Sequence, residues 1–159
     1  INIVKLTEMV KDVRICMLIT SDKNAENLSG RPLCINKIDE DGAMWCFTKK
    51  SLKEVDELER NKNVAIAILN NDSNNYLIIQ GSGSLSDDKA KMKELWNPEM
   101  KVRFPIGLED DDMVLVNVKP KGVNYWDSNS SKMVVLFDML KSIMAGKGFA
   151  NNELREINL

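Results

Sequence analysis

Residues Gly30–Arg60 read GRPLCINKIDEDGAMWCFTKKSLKEVDELER, and the fold turns on this stretch. Arg31 to Ile38 carries β-forming residues. Asp39-Glu40-Asp41-Gly42 is a turn whose glycine can take a positive φ, and Ala43 to Thr48 is an apolar, aromatic return strand. The segment predicts a β-hairpin in which the strand starting at Arg31 pairs with the one ending at Thr48. A helix then starts abruptly. Ser51 and Glu54 have capping-box spacing with Ser51 as the N-cap, and Leu52, Val55 and Leu58 follow at helical spacing. Lys49, Lys50 and Lys53 crowd this helix start, where free N–H groups and the helix dipole already carry positive partial charge. Cations there are unfavourable unless an anion joins them, and a phosphate is the usual guest. Arg31, brought alongside by the hairpin, would be a fourth cation. A capped surface helix with solvated lysines is the alternative, and spacing alone does not choose between the two.

Outward from this stretch the chain alternates short elements. Asn2 to Lys11 places Ile3, Leu6 and Val10 at helical spacing, and Arg14 to Thr20, RICMLIT, reads as a buried strand. Ser21 to Gly30 is a polar loop. Asn61-Lys62-Asn63 breaks the central helix, and Val64 to Leu69 is a strand. Tyr76 to Leu85, YLIIQGSGSL, is a strand whose Gly81 and Gly83 mark a bend where a small barrel closes. Asp87 to Trp96 is a helix ended by Asn97-Pro98, and Glu99 to Asp112 is a long loop. Its four acids, Glu109 to Asp112, read as solvated, because a hard-cation loop needs alternating ligands and a defined turn. Met113 to Val118 and Gly122 to Trp126 are two strands joined through Lys119-Pro120-Lys121. Met133 to Phe137 is a last strand or the front of a helix reaching Met144, and length does not decide. Gly146 to Gly148 stops that element before a loosely ordered tail. Six mostly antiparallel strands with three flanking short helices predict an α+β fold around a closed or nearly closed barrel. With no repeat or linker, one domain over 1–159 is expected, about 140–159 being a helix end and tail.

Composition excludes several chemistries. The chain has no histidine, which removes the commonest general base near neutral pH and the commonest metal ligand. No metal site is therefore expected, and if the protein is an enzyme a cofactor carries the chemistry. A net charge of −2 without a basic stripe argues against a nucleic-acid partner. The apolar runs are too short to cross a bilayer and no signal-peptide pattern opens the sequence, so no membrane association and a cytoplasmic location are expected. Cys16, Cys34 and Cys46 lack zinc-like spacing and read as small, reduced core residues. With a four-residue turn Cys34 would face Phe47 and Cys46 would face Ile35, putting the two sulfurs on opposite faces of the hairpin.

Five features carry a resemblance in their order and spacing: Arg31-Pro32-Leu33, the Phe47-Thr48…Ser51…Lys53 run, Leu95-Trp96-Asn97-Pro98, Phe104-Pro105-x-Gly107 and Tyr125-Trp126. Over nearly the whole chain the sequence resembles the split-barrel flavoproteins related to pyridoxamine 5'-phosphate oxidase, and among them the general stress protein branch. The resemblance implies a six-stranded split β-barrel that binds FMN and works as a homodimer with flavin sites at the subunit interface. It implies that Arg31 contacts the flavin phosphate, that Leu33 lies beside the ring with its backbone turned toward it, that Pro32 between them belongs to the cofactor-binding set, and that Phe47 and Thr48 form the aromatic-Thr pair of the return strand. It implies that Ser51 and Lys53 lie near the phosphate, and that Trp126 approaches the flavin from the other subunit.

The resemblance also has departures. Where the oxidase carries a Lys at the end of its first hairpin strand, this chain has Asn36; an Arg beside the phosphate-binding Lys is here Leu52, and the interval from Thr48 to Lys53 is one residue shorter. Lys132-Met133-Val134 stands where the oxidase has an Arg-x-His segment for the vitamin phosphate. The resemblance therefore implies flavin binding without true pyridoxamine-phosphate oxidation. The expected function is an FMN-dependent oxidoreductase of unknown substrate, with a reduced nicotinamide as a candidate electron donor and a stress-related role. No side chain stands out as catalytic. The alternatives are a non-catalytic flavin-binding or stress-response module and a split barrel using a deazaflavin or no cofactor.

Overall fold

The hairpin expected at the centre of the sequence is divided between two parts of one sheet in the computed structural model, which describes residues 2–138 and 155–157. Three helices, α1 (Asn2–Val10), α2 (Lys53–Arg60) and α3 (Lys89–Leu95), flank nine strands. The strands are β1 (Ile15–Ser21), β2 (Leu28–Cys34), β3 (Lys37–Ile38), β4 (Met44–Lys49), β5 (Asn63–Asn70), β6 (Asn75–Ser86), β7 (Met113–Asp127), β8 (Lys132–Asp138) and β9 (Arg155–Ile157). The path runs β2-β1-β5-β6-β7-β4-β3, β8 joins β7, and β9 joins β8. Every pairing is antiparallel, and the sheet curls into a half-barrel, so the α+β split-barrel class holds.

Among the described residues there are nine strands rather than the six expected, and three differences contribute to the higher count. The first hairpin strand breaks at Ile35-Asn36: β2 pairs with β1, Leu18 opposite Arg31, and only β3 pairs with β4. Arg31 therefore does not lie on a strand paired with Thr48, whose partner is Val114 of β7. The break is held by Asn36, whose backbone N–H donates to the Trp45 carbonyl and whose side-chain oxygen accepts the Phe47 N–H. Ile38 faces Met44, so the turn encloses five residues rather than four, with Gly42 at φ +86. The added residue overturns the expected placement of the hairpin cysteines. Cys16 and Cys46 are buried, and the interaction between their thiols lowers the first thiol's pKa and, with burial, raises the second's. Cys34 is only half-buried.

The second difference is β9, which pairs Met133 with Ile157 and Val135 with Arg155 inside the stretch expected as tail; the rest of that stretch lies outside the described residues. The third is that Met133 to Phe137 belongs to a strand, β8. In the opposite sense, the two strands expected around Pro120 are one strand, β7. Gly81 faces Pro120 and Gln80 faces Gly122, so the ladder carries a bulge there and the missing proline N–H breaks no regular pair.

The barrel interior holds Leu18, Met44, Ile66, Ile68, Leu77, Ile79, Val116 and Val118, each at most 3% exposed, and α1 covers one end with Leu6 and Val10. A second cluster, Phe47, Met92, Phe104, Met113 and Leu115, seals β4 and β7 against α3 and the following loop, with Trp96 packed on it. That loop is ordered as two 3-10 turns, Pro98–Val102 and Gly107–Glu109, rather than irregular. The Gly81 bend is sterically required: a Cβ there would lie 2.6 Å from the Lys119 carbonyl oxygen and 2.8 Å from the Val118 side chain. Because the first obstacle is backbone, Gly81→Ala should destabilise the fold by about 1–3 kcal/mol, seen as a lowered midpoint in urea with an unchanged slope.

Candidate functional site

The charge-rich segment after β4 folds differently from its capping-box pattern. Leu52, not Ser51, is the N-cap of α2, and it makes no side-chain capping bond. Ser51 turns to the loop before β7, where its N–H donates to Asp112 Oδ1 at 2.9 Å and its hydroxyl to Asp112 Oδ2 at 2.7 Å. The Lys50 N–H donates to the Asp112 carbonyl at 2.7 Å. The Ser51 hydroxyl, then its N–H and the charges of Lys49 and Lys50, hold the Asp112 carboxyl below its ordinary range. An acid of the chain thus takes the Ser51 donors that sequence reasoning assigned to a phosphate. Among the described residues the run Glu109 to Asp112 forms no metal-binding group; Asp110 is buried and accepts the Asp112 N–H.

Lys53 is also committed elsewhere. Its ammonium lies 3.3 Å from Glu57 Oε1, one helical turn on. Glu57 is buried beneath β1 and β2, where it also accepts the Thr20 hydroxyl at 2.9 Å and the Ser29 hydroxyl at 2.9 Å. Burial pushes its carboxyl up, but the bonds from Ser29, Thr20 and Lys53 together leave it below the ordinary range.

Five of the eight expected site residues still converge. Arg31, Pro32, Leu33, Phe47 and Thr48 line one open cavity of about 360 Å³, because β2 leaves β4 at Asn36 and the two strands diverge around the gap. Lys49 and Leu52 lie on the same wall. Arg31 and Lys49 make no ion pair within 4 Å among the described residues. Three cations, Arg31, Lys49 and Arg103, and a threonine thus face one opening, with Leu33, Phe47 and Phe104 as its apolar floor. Paired donors with an apolar surface suit an organic phosphate, since anionic oxygens take charge-assisted bonds and a flat ring takes the apolar wall.

Arg103 was not identified from the sequence, although it precedes the noted Phe104-Pro105. It reaches this cavity and a second one of about 520 Å³, and Phe47 and Phe104 also border both. Those two rings sit 6.2 Å apart, and Trp96 meets Phe47 edge-on at 6.0 Å. Trp126 lies outside both cavities. By strand alternation it shares the outer face of the sheet with Ile78, and Met133 is its neighbour across β8.

A family model described as pyridoxamine 5'-phosphate oxidase like matches residues 2–150. The fold is similar to that of a Clostridium acetobutylicum protein related to general stress protein 26 of B. subtilis, with a TM-score of 0.74, 20% identity, and coverage of 87% of this chain and 95% of that one. It is also similar to the general stress FMN/FAD binding protein of Xanthomonas citri, with a TM-score of 0.65, 26% identity, and coverage of 77% and 85%. In sequence the chain is 22% identical over 162 residues to Protein bli-3 of Neurospora crassa, covering 96% of this chain and 78% of that protein.

Proposed function

The chain belongs to the pyridoxamine 5'-phosphate oxidase like family, and on that premise we propose that it is an FMN-binding flavoprotein with oxidoreductase activity, working as a homodimer. One observation carries the reading: Arg31, Thr48 and Lys49 converge on an opening floored by Leu33, Phe47 and Phe104. The Xanthomonas citri protein, named for FMN/FAD binding, supports it. Arg31 and Lys49 would hold the phosphate, with Thr48 adding a hydroxyl, while Pro32 and Leu33 flank the ring. Bound flavin supplies reversible two-electron chemistry, and a reduced nicotinamide is the proposed donor. The chain's own residues bind, orient and shield it. True pyridoxamine-phosphate oxidation is not proposed, given Asn36 and Lys132-Met133-Val134. The purified protein should show a flavin absorption band near visible wavelengths and release FMN on denaturation. A colourless protein that takes up no added FMN overturns the reading.

The homodimer rests on an apolar outer face. Ile15 and Met17 of β1, Leu69 of β5 and Ile78 of β6 are 40–77% exposed, and Met17, Ala67 and Ile78 are cross-strand neighbours. A contiguous apolar face of this kind marks an association surface. Pro32, opposite Met17, belongs both to this face and to the cavity, so a second copy on the face would border the flavin site. Light scattering should give twice 18.0 kDa, and Met17→Glu with Ile78→Glu should shift the protein to monomer with loss of FMN affinity. A parent that is monomeric at micromolar concentration overturns the shared site. Among the described residues no helix is long and apolar enough to cross a membrane.

A further inference from the structure

The second cavity has a composition the cofactor does not use. Its floor is apolar, formed by Ile35, Leu95 and Met100 together with the two shared rings. Its polar residues are mostly occupied. Asn36 donates to the Met100 sulfur and accepts the Phe47 N–H; Asn97 accepts the Glu99 N–H; Glu99 pairs with Arg14 at 3.7 Å at the rim. Arg103 is different. Its guanidinium donates to the Cys34 sulfur at 3.0 Å and has no carboxylate within 4 Å among the described residues. An arginine offers five donors in a flat fork that fits a carboxylate in two-point fashion, and one thiol leaves most of them unused.

We propose that this cavity is the substrate side of the site and takes a small organic acid, with its flat apolar body against Phe47, Met100 and Phe104 and its carboxylate on Arg103. The size fits: about 520 Å³ falls among small-molecule sites, which are apolar with a few convergent polar groups. The position fits as well, because Phe47, Arg103 and Phe104 form the partition shared with the cavity assigned to flavin. Calling the ligand a substrate rests on the flavin reading; the acid-binding site itself rests on Arg103 and the apolar floor.

Benzoate, benzamide and benzylamine test this, since they share a ring and differ in charge. Binding to flavin-free protein is followed by tryptophan fluorescence, for which Trp96 on Phe47 is a local reporter, and binding to FMN-loaded protein by the visible band. Benzoate should bind at least about tenfold more tightly than benzamide, with benzylamine weakest, as expected for one charge-assisted pair. Arg103→Gln should bring benzoate down to the benzamide level, and Arg103→Lys should retain part of the difference. Arg103 is exposed, so these variants keep the core. Because Arg103 also borders the flavin cavity, Arg103→Gln should weaken FMN and riboflavin alike and by less than about tenfold, since the proposal puts the phosphate on Arg31 and Lys49. Equal binding of benzoate and benzamide by the parent, or a preference that survives Arg103→Gln, overturns the proposal. So does a tenfold loss of FMN but not of riboflavin in Arg103→Gln, which would place Arg103 at the cofactor phosphate. Failure of the parent to bind FMN refutes the cofactor reading alone, and the benzoate preference of flavin-free protein still decides the acid site.

Discussion

Arg31→Glu should weaken FMN binding by about a hundredfold or more and leave riboflavin within about threefold, because the two ligands differ only in the phosphate. The substitution removes a charge-assisted hydrogen bond, worth roughly 1.5–3 kcal/mol, and puts a carboxylate opposite a dianion. Arg31 is half-buried and has no internal acid among the described residues, so its charge is available to the cavity. Lys53→Glu is the informative comparison. Lys53 is mostly exposed and tied to Glu57, outside the cavity wall. Its replacement should cost no more than about fivefold in FMN affinity, as for a distant charge screened by water. Fluorescence titration of the parent and both variants with FMN and riboflavin separates the cases. If Lys53→Glu matches Arg31→Glu, the phosphate lies at the start of α2. If riboflavin binds the parent as tightly as FMN does, no phosphate site is present.

The largest effect on stability is expected at Glu57. Glu57→Ala leaves the Thr20 hydroxyl, on a residue 1% exposed, and the Ser29 hydroxyl without their acceptor. Losing the acceptor for two such groups should cost roughly 2–4 kcal/mol in urea unfolding at neutral pH. Glu57→Gln keeps the volume and one acceptor oxygen and should cost less. The pH dependence has a definite sign. Burial raises the Glu57 carboxyl, yet Ser29, Thr20 and Lys53 bring it below its ordinary 4.5. Its contribution is therefore fully present above that value and is lost as pH falls through the lower folded-state value. The parent should lose stability relative to Glu57→Gln between neutral pH and pH below about 4. An unchanged difference between the two across that range means that Glu57 does not titrate with folding.

Much of this architecture is visible in local pattern, and the exceptions share a cause. Alternation and helical spacing locate β1, β4, β5, β6, α1 and α2 to within a few residues, because each has one face in the core. The Gly81 bend is legible because glycine inside an apolar strand has few other uses. Strand partners are not legible. Nothing local to Arg31-Pro32-Leu33 says that it pairs with Cys16–Leu18 rather than with the strand it enters by a turn. The capping box at Ser51 fails for the same reason: Asp112, 61 residues later, competes for the hydroxyl and wins. The continuity of β7 through Pro120 depends on a register shift against β6 that leaves Lys121 as the extra residue, and that shift is set by pairing with a distant strand rather than by local pattern. Arg103 escaped notice because its importance lies in the boundary between two cavities, a property of three separated segments.

The long strand β7 also orders events in time. β4 carries Phe47, Thr48 and Lys49, yet within the sheet it is bonded only to the two-residue β3 and to β7, Met44 facing Val118 and Lys49 facing Met113. A nascent chain that ends before residue 113 can already pair Arg31 of β2 with β1, but for Phe47 and Lys49 of β4 it offers only the two-residue β3 as an edge. Closure of so distant a loop is a slow, entropy-limited step, and until it occurs the apolar β4 is an unprotected strand. A flavin bound at the proposed site would therefore not template β4 during synthesis. It would meet the cavity only after the last third of the barrel has been added, and its stabilisation would act on the finished fold rather than on its assembly.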